Sequence, residues 1–365
     1  MLTPIELRHK IHQNPEIMFE EFKTTQLIEE NLKNLSKIKI HKPLPTGLVV
    51  EYTVNSGDYL LFRADIDALP IKENTGWEWT SKNSYMHACG HDVHTAILYS
   101  FIQYVVENNI NQNLIFLFQP GEEAGGGALK VIESGILNNY KIKYTFALHV
   151  TDEYDFATVA STDGVLFVSS VECDIEIFGK SSHVAFPENG INAFNTLRAF
   201  LDYTDKNVEE AAEPFIFGYG KVFAGQARNI IPNYAKAECT VRALSLDKQE
   251  EYLNIIENNL IKATKKFGSQ YKFHIGPKYA EVKIDSTLYQ KVVPFISQFF
   301  KFIDCGVKMT AEDFGYFSKL YPSFMAWLGI SKGERNGLHN DKFLPSDDSI
   351  ELGKNLLIKY LEAVI

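Results

Sequence analysis

Hydrophobic and polar positions alternate along the first half of the chain between helical and extended patterns. Ile5–Ile11 and Thr24–Leu35 carry apolar residues at helical spacing and predict amphipathic helices. Gly47–Val54, Tyr59–Asp65, Asn113–Gln119 and Tyr144–Val150 are short apolar runs, the length and texture of buried strands. Between the second and third of these, His94–Glu107 predicts a long helix. Strands alternating with helices imply an α/β sheet covered on both faces, with a ligand crevice at the strand ends.

The middle of the chain has a different texture. Glu172–Phe178 and Ala235–Arg242 alternate polar and apolar residues, as strands of a half-exposed antiparallel sheet do. Asn192–Tyr203 and Leu246–Lys266 read as helices, the second with Tyr252, Leu253, Ile256, Leu260 and Ile261 on one stripe. Ser286–Phe302 and Ser349–Ile365 are expected to be helices again, around a buried strand at Phe324–Ile330. The expected fold class is therefore α/β. A domain built from 1–163 and 278–365, with a mixed sheet flanked by helices, is interrupted by an inserted α+β domain at 164–277.

Composition narrows the class. The 365 residues are 45% hydrophobic and 22% charged, which is ordinary for a globular protein of about two domains. Apolar runs such as Leu114–Phe118 fall far short of the ~20 residues that cross a bilayer, so no membrane span is expected. An acid at Glu6 where a signal peptide carries basic residues points to a cytoplasmic protein. The balance of 36 basic and 46 acidic residues, net −10, with no basic run, argues against a nucleic-acid surface and for small-molecule partners. Four widely spaced cysteines, Cys89, Cys173, Cys239 and Cys305, read as reduced thiols.

Polar chemistry concentrates in two segments. His87-Ala88-Cys89-Gly90-His91-Asp92-Val93-His94 places a thiol and an imidazole two residues apart in a glycine-containing loop, where both can face one divalent ion, with Asp92 and His94 available to orient the ligands. Phe118-Gln119-Pro120-Gly121-Glu122-Glu123 runs a buried strand into two adjacent carboxylates, which suits one metal ligand and one general base. His149 and His339 each follow an apolar run. Asp65 and Asp67 sit at a strand end, as supporting carboxylates or as members of an internal ion pair.

Taken together, these segments resemble the dinuclear metallo-amidohydrolases that include aminoacylases, hippurate hydrolases, auxin-conjugate hydrolases and bacterial N-acetyldiaminopimelate deacetylases. The resemblance spans the chain. It runs through Leu7–His12 with Asn14-Pro15-Glu16, Arg63–Pro70, His87–Asp92, Phe118–Glu123, Leu148-His149-Val150, Gly179-Lys180 with His183, Asn229–Pro232, Glu312-Asp313-Phe314 and Gly337–Asn340. It implies two divalent ions per subunit, zinc, manganese, cobalt or nickel, held by the positions of Cys89, His91, Glu123, His149 and His339. It further implies Glu122 as general base, His183 from the inserted lid as oxyanion donor, Asn229 as a contact to the substrate carboxylate or oxyanion, and a homodimer formed through the lid. Arg242, on a half-exposed strand, is a second candidate for a substrate carboxylate, or else an ion-pair partner. Asp65, Asp67 and Asp92 would support the ligands from behind.

Within that family, Met309–Tyr316, Gly126–Leu129 and Val165–Phe167 look most like the N-acetyldiaminopimelate deacetylases. The expected reaction is therefore removal of an acetyl group from an N-acyl amino acid, with hippurate-type hydrolysis and dipeptide cleavage as alternatives. A thiol hydrolase with Cys89 as nucleophile and His91 as its base, and a non-catalytic binding homologue, are the readings of other kinds.

Overall fold

The computed structural model describes residues 1–123 and 126–365 in full. Among the described residues the chain forms two compact units. One comprises Met1–Leu166, Val282–Lys308 and Asp313–Ile365, and the other comprises Phe167–Glu281 with Met309–Glu312.

The first unit is built on an eight-stranded mixed sheet. Its order is Ile38–His41, Leu48–Tyr52, Asn113–Gln119, Tyr59–Asp65, Ile142–Asp155, Ser323–Ser331, Thr158–Ser161 and Lys301–Asp304. The four central strands run parallel to one another, while Leu48–Tyr52 pairs antiparallel with Asn113–Gln119. Parallel strands covered on both faces need apolar residues at nearly every position, which is why Asn113–Gln119 and Ser323–Ser331 are buried throughout. Phe62 and Phe146, in register on adjacent strands, stack at 5.0 Å, and Phe101 packs edge-on against Phe62 at 4.8 Å.

Phe101 belongs to the helix His91–Glu107, which is buried over most of its circumference. The N-terminal helix Pro4–Gln13 and the C-terminal helix Asp348–Glu362 both pack against it. Pro4–Gln13 begins with a reciprocal cap, in which Thr3 Oγ1 accepts the Glu6 N–H while the Glu6 carboxylate accepts the Thr3 N–H.

The segment expected to be one helix, Ser286–Phe302, is not. The helix ends at Ile296, two residues beyond Pro294, and Lys301–Asp304 becomes an edge strand parallel to Thr158–Ser161. The apolar spacing continues through Phe299, Phe300 and Phe302, whereas the Phe300 N–H, donating to the Ile296 carbonyl at 2.9 Å, closes the turn that ends the helix.

In the second unit, four antiparallel strands lie in the order Gln270–Tyr279, Ser169–Phe178, Tyr234–Ala243 and Phe215–Ala224. Helices Ala193–Glu209 and Leu246–Phe267 cover one face, burying Ile175, Ile177, Leu197, Phe200, Ile256 and Leu260. Met309–Glu312 joins this unit, held by Arg242 Nη1 donating to the Met309 carbonyl at 2.8 Å and Val168 N donating to Thr310 at 3.1 Å. Hydrogen bonds place that return, and they leave no trace in hydrophobic patterning. Among the described residues no helix is long and apolar enough to cross a membrane.

Candidate metal centre

Parallel pairing sets the level of the site. Asp65 lies opposite Gln119, so Asp67 and the Glu122-Glu123 pair leave neighbouring strands at the same edge of the sheet. His149 lies on the next strand, three residues beyond Phe146, the partner of Phe62. Trp327 pairs with His149, and its strand leads into the loop bearing His339. The ends of parallel strands thus gather these side chains, as open α/β sheets gather their ligands.

Cys89 and His91 arrive from the helix side. Gly90 between them takes a left-handed φ of +82° and starts the helix His91–Glu107. That turn directs both neighbours to one point: Cys89 Sγ lies 3.4 Å from His149 Nε2, and His91 Nε2 lies 3.8 Å from Glu123 Oε1. His339 Nε2 approaches Glu123 Oε2 to 3.4 Å. Three sets of donor atoms converge, each set within 4.8 Å: Cys89, His91 and His149; Cys89, Glu123 and His339; His91, Glu122 and Glu123. All are buried or half-buried except His339, which is exposed.

The donor set fits divalent cations. His91 Nε2 and Glu123 Oε1 are shielded from solvent and have no hydrogen-bond partner among the described residues. Leaving such atoms unmatched costs about 1–3 kcal/mol each, which a cation between them relieves. Thiolate, imidazole and carboxylate together suit zinc and its first-row neighbours.

Electrostatics follow from burial and crowding. Burial pushes the Cys89 thiol well above its usual range, and the carboxylates of Glu123, Glu122 and Asp65 push it further. A thiol so placed is not an activated nucleophile, and the imidazole against its sulfur is His149, not the His91 of the thiol-hydrolase reading. Burial likewise holds His149 well below the usual imidazole range, helped by His94. Burial opposes charge on His91 too, but Asp65, Asp67 and Glu123 outweigh it and raise that ring to about 10.

The supporting carboxylates divide their work. Asp67 contacts His91 Nδ1 and accepts the Glu123 N–H. Asp65 takes Arg63 Nη1 at 2.7 Å and His94 Nδ1 at 2.6 Å. His94 Nε2 in turn accepts the Val150 N–H, so His94 braces the strand beside His149. Asp92 turns away from the cluster to Arg8 Nε at 2.9 Å and His12 Nδ1 at 3.0 Å, anchoring the start of the helix rather than a ligand ring. In the second unit, His183 bridges Ile230 and Val184 N donates to the Asn229 carbonyl, bringing the exposed His183 and Asn229 together.

The family model for peptidase family M20/M25/M40 matches residues 61–363. The chain belongs to that family. It is therefore a hydrolase of the M20/M25/M40 group, and its members set the comparison. An N-acetyldiaminopimelate deacetylase of Exiguobacterium sibiricum is 34% identical over 99% of both chains. One from Geobacillus sp. is 32% identical over 98% of this chain and 96% of its own.

Among solved structures, a Staphylococcus aureus aminohydrolase superposes with a TM-score of 0.90 at 25% identity, covering 99% of this chain and 95% of its own. A Bacillus subtilis dinuclear metal binding peptidase of the M20 family gives 0.83 at 26%, covering 98% and 96%.

Beside these side chains lies Asp313, which the sequence reading named only within a matching motif and gave no role. Asp313 accepts from Arg63 Nη2, Gln119 Nε2 and Ala128 N, tying two strand ends together. Its own N–H points to Glu122 Oε1 at 3.4 Å. The Glu312-Asp313-Phe314 motif was the available signal.

Proposed function

We propose that this chain is a metal-dependent amidohydrolase that removes the acetyl group from N-acetyldiaminopimelate, releasing diaminopimelate and acetate in lysine synthesis. The observation that supports it most is the convergence of Cys89, His91, His149, Glu123 and His339 around Glu122 in a chain at least 32% identical to two proteins named for that reaction. Cys89, His91, Glu123, His149 and His339 would hold two divalent ions, zinc, manganese, cobalt or nickel.

Bound there, such ions supply Lewis acidity, which lowers the pKa of water and polarises the amide carbonyl. Glu122 is the residue whose carboxylate takes the proton from the attacking water and delivers it to the leaving nitrogen. Its burial shields that carboxylate from bulk water, and the Asp313 N–H faces one of its oxygens. Asp67 and His94 hold the ligand-bearing segments in place. From the second unit, His183 is assigned to the oxyanion and Asn229 and Arg242 to the substrate carboxylate. That unit also serves as lid and dimer contact, and the enzyme works in the cytoplasm.

Release of free amine from N-acetyldiaminopimelate, hippurate and a dipeptide panel, by metal-stripped protein with and without each ion, tests this reading. Metal-restored cleavage of the acetyl substrate in preference to the others is expected. Cleavage indifferent to metal would remove the mechanism, and a preference for hippurate or dipeptides would replace the substrate.

A further inference from the structure

His339 sits in the least regular part of the ligand set. No helix or strand spans the segment between Ser331 and Asp348, and the His339 side chain is exposed. Its φ of +61° is left-handed, a conformation that costs a non-glycine residue roughly 1–2 kcal/mol, and Gly337, two residues before it, has φ +81°. A ligand in such a loop holds its place only if ties from outside the loop define the backbone.

Three ties do so. The His339 N–H donates to the carbonyl of Ala88, the residue before Cys89, at 2.9 Å. The other two converge on a single atom: Asp152 Oδ2 accepts the N–H of Asn336 at 2.6 Å and of Gly337 at 2.9 Å. Asp152 is 8% exposed, and the partners its buried carboxylate is given are these two backbone donors. It lies on the strand Ile142–Asp155, three residues beyond His149. Arg335 adds an outer contact to that strand by donating to the Glu153 carbonyl and the Asp155 carboxylate, but it is exposed.

We propose that Asp152 is a positioning residue for the metal centre: by gripping the Asn336 and Gly337 amides it holds His339 in ligating geometry beside Cys89 and Glu123. One strand then carries His149 for one donor set and the grip that completes the other. The inference rests on His339 being a ligand, as in the proposed function. Loss of the grip weakens one of two ions, not both, because Cys89, His91 and His149 do not depend on it.

Calorimetric titration of metal-free protein with Co2+ alone, together with the cobalt–thiolate absorption of Cys89, tests this on the parent, Asp152→Ala, Asp152→Asn, His339→Ala and the Asp152→Ala/His339→Ala double variant. Asp152→Ala is expected to bind one ion like the parent and the other about 10- to 100-fold more weakly. Asp152→Asn keeps an acceptor oxygen and should recover most of that affinity. The double variant should bind no worse than His339→Ala, because both changes remove the same ligand.

If Asp152→Ala does not fold, Asp152→Glu, which displaces the oxygen by one methylene, should show the same selective loss. Parent-like binding by Asp152→Ala, equal weakening of both ions, or additive losses in the double variant would overturn the proposal. Parent-like binding by His339→Ala would instead remove His339 from the ligand set.

Discussion

Nδ1 of His91 lies 3.0 Å from the backbone carbonyl oxygen of Asp67 and 3.2 Å from its Oδ1. A carbonyl only accepts, so Nδ1 carries the proton and Nε2 is the nitrogen left to face the donor cluster. The second Asp67 oxygen accepts the Glu123 N–H at 3.0 Å. Through its carbonyl and its carboxylate, Asp67 therefore fixes the tautomer of one proposed ligand and the backbone of another.

Asp67→Ala frees the Glu123 backbone and removes the Oδ1 contact to His91, leaving only the carbonyl at position 67 to hold Nδ1. We expect metal affinity to fall about 10- to 100-fold while the fold persists, read by metal titration beside circular dichroism. Unchanged affinity would show that the carbonyl at position 67 and packing are enough to orient His91 and Glu123.

Glu122→Gln separates base from ligand. The amide keeps the size and burial of the side chain but cannot take a proton, so kcat should fall about 10²- to 10⁴-fold with both ions retained. Loss of metal in parallel with activity would mean that Glu122 is itself needed as a ligand, which its place in the His91, Glu122 and Glu123 set allows the assay to detect.

Gly90→Ala strikes the turn between two proposed ligands, Cys89 and His91. A Cβ there would sit 2.5 Å from Val150 Cγ2, and φ is +82°. A loss of roughly 1–3 kcal/mol in a denaturant titration is expected, with weaker metal binding as Cys89 and His91 shift. A variant as stable as the parent would show that the turn relaxes freely.

Glu21 provides a pH-dependent prediction away from the donor cluster. Burial, and then the charge of Asp67, raise its carboxyl to about 7, while its Oε1 accepts the Gly121 N–H at 2.9 Å. Between its ordinary value of 4.5 and about 7 the folded state binds more protons than the unfolded state. This group therefore lowers stability as pH rises through that window and has no further effect above it. Glu21→Gln keeps an acceptor for Gly121 and should flatten that slope, raising stability at pH 8 by roughly 1–3 kcal/mol. Parallel stability curves for the two proteins from pH 5 to 8 would reject the assignment.

Two kinds of information were separable in this chain. Short-range order was legible in the residues themselves. Strands such as Tyr59–Asp65 and Asn113–Gln119 follow from uninterrupted apolar runs, and Cys89, His91, Glu122 and Glu123 stand out because their spacing along the backbone already limits where they can point. The mixed sheet flanked by helices and the membership in a hydrolase family were readable on that basis.

Tertiary structure alone decided which distant groups meet. It ended the Ser286 helix at Ile296 because Lys301–Asp304 found a sheet edge, it turned Asp92 toward Arg8 and His12, and it brought Asp152 to amides 184 and 185 residues away. Periodicity reports only neighbours a few positions apart along one element, whereas a hydrogen bond between two loops depends on the path of the whole chain between them.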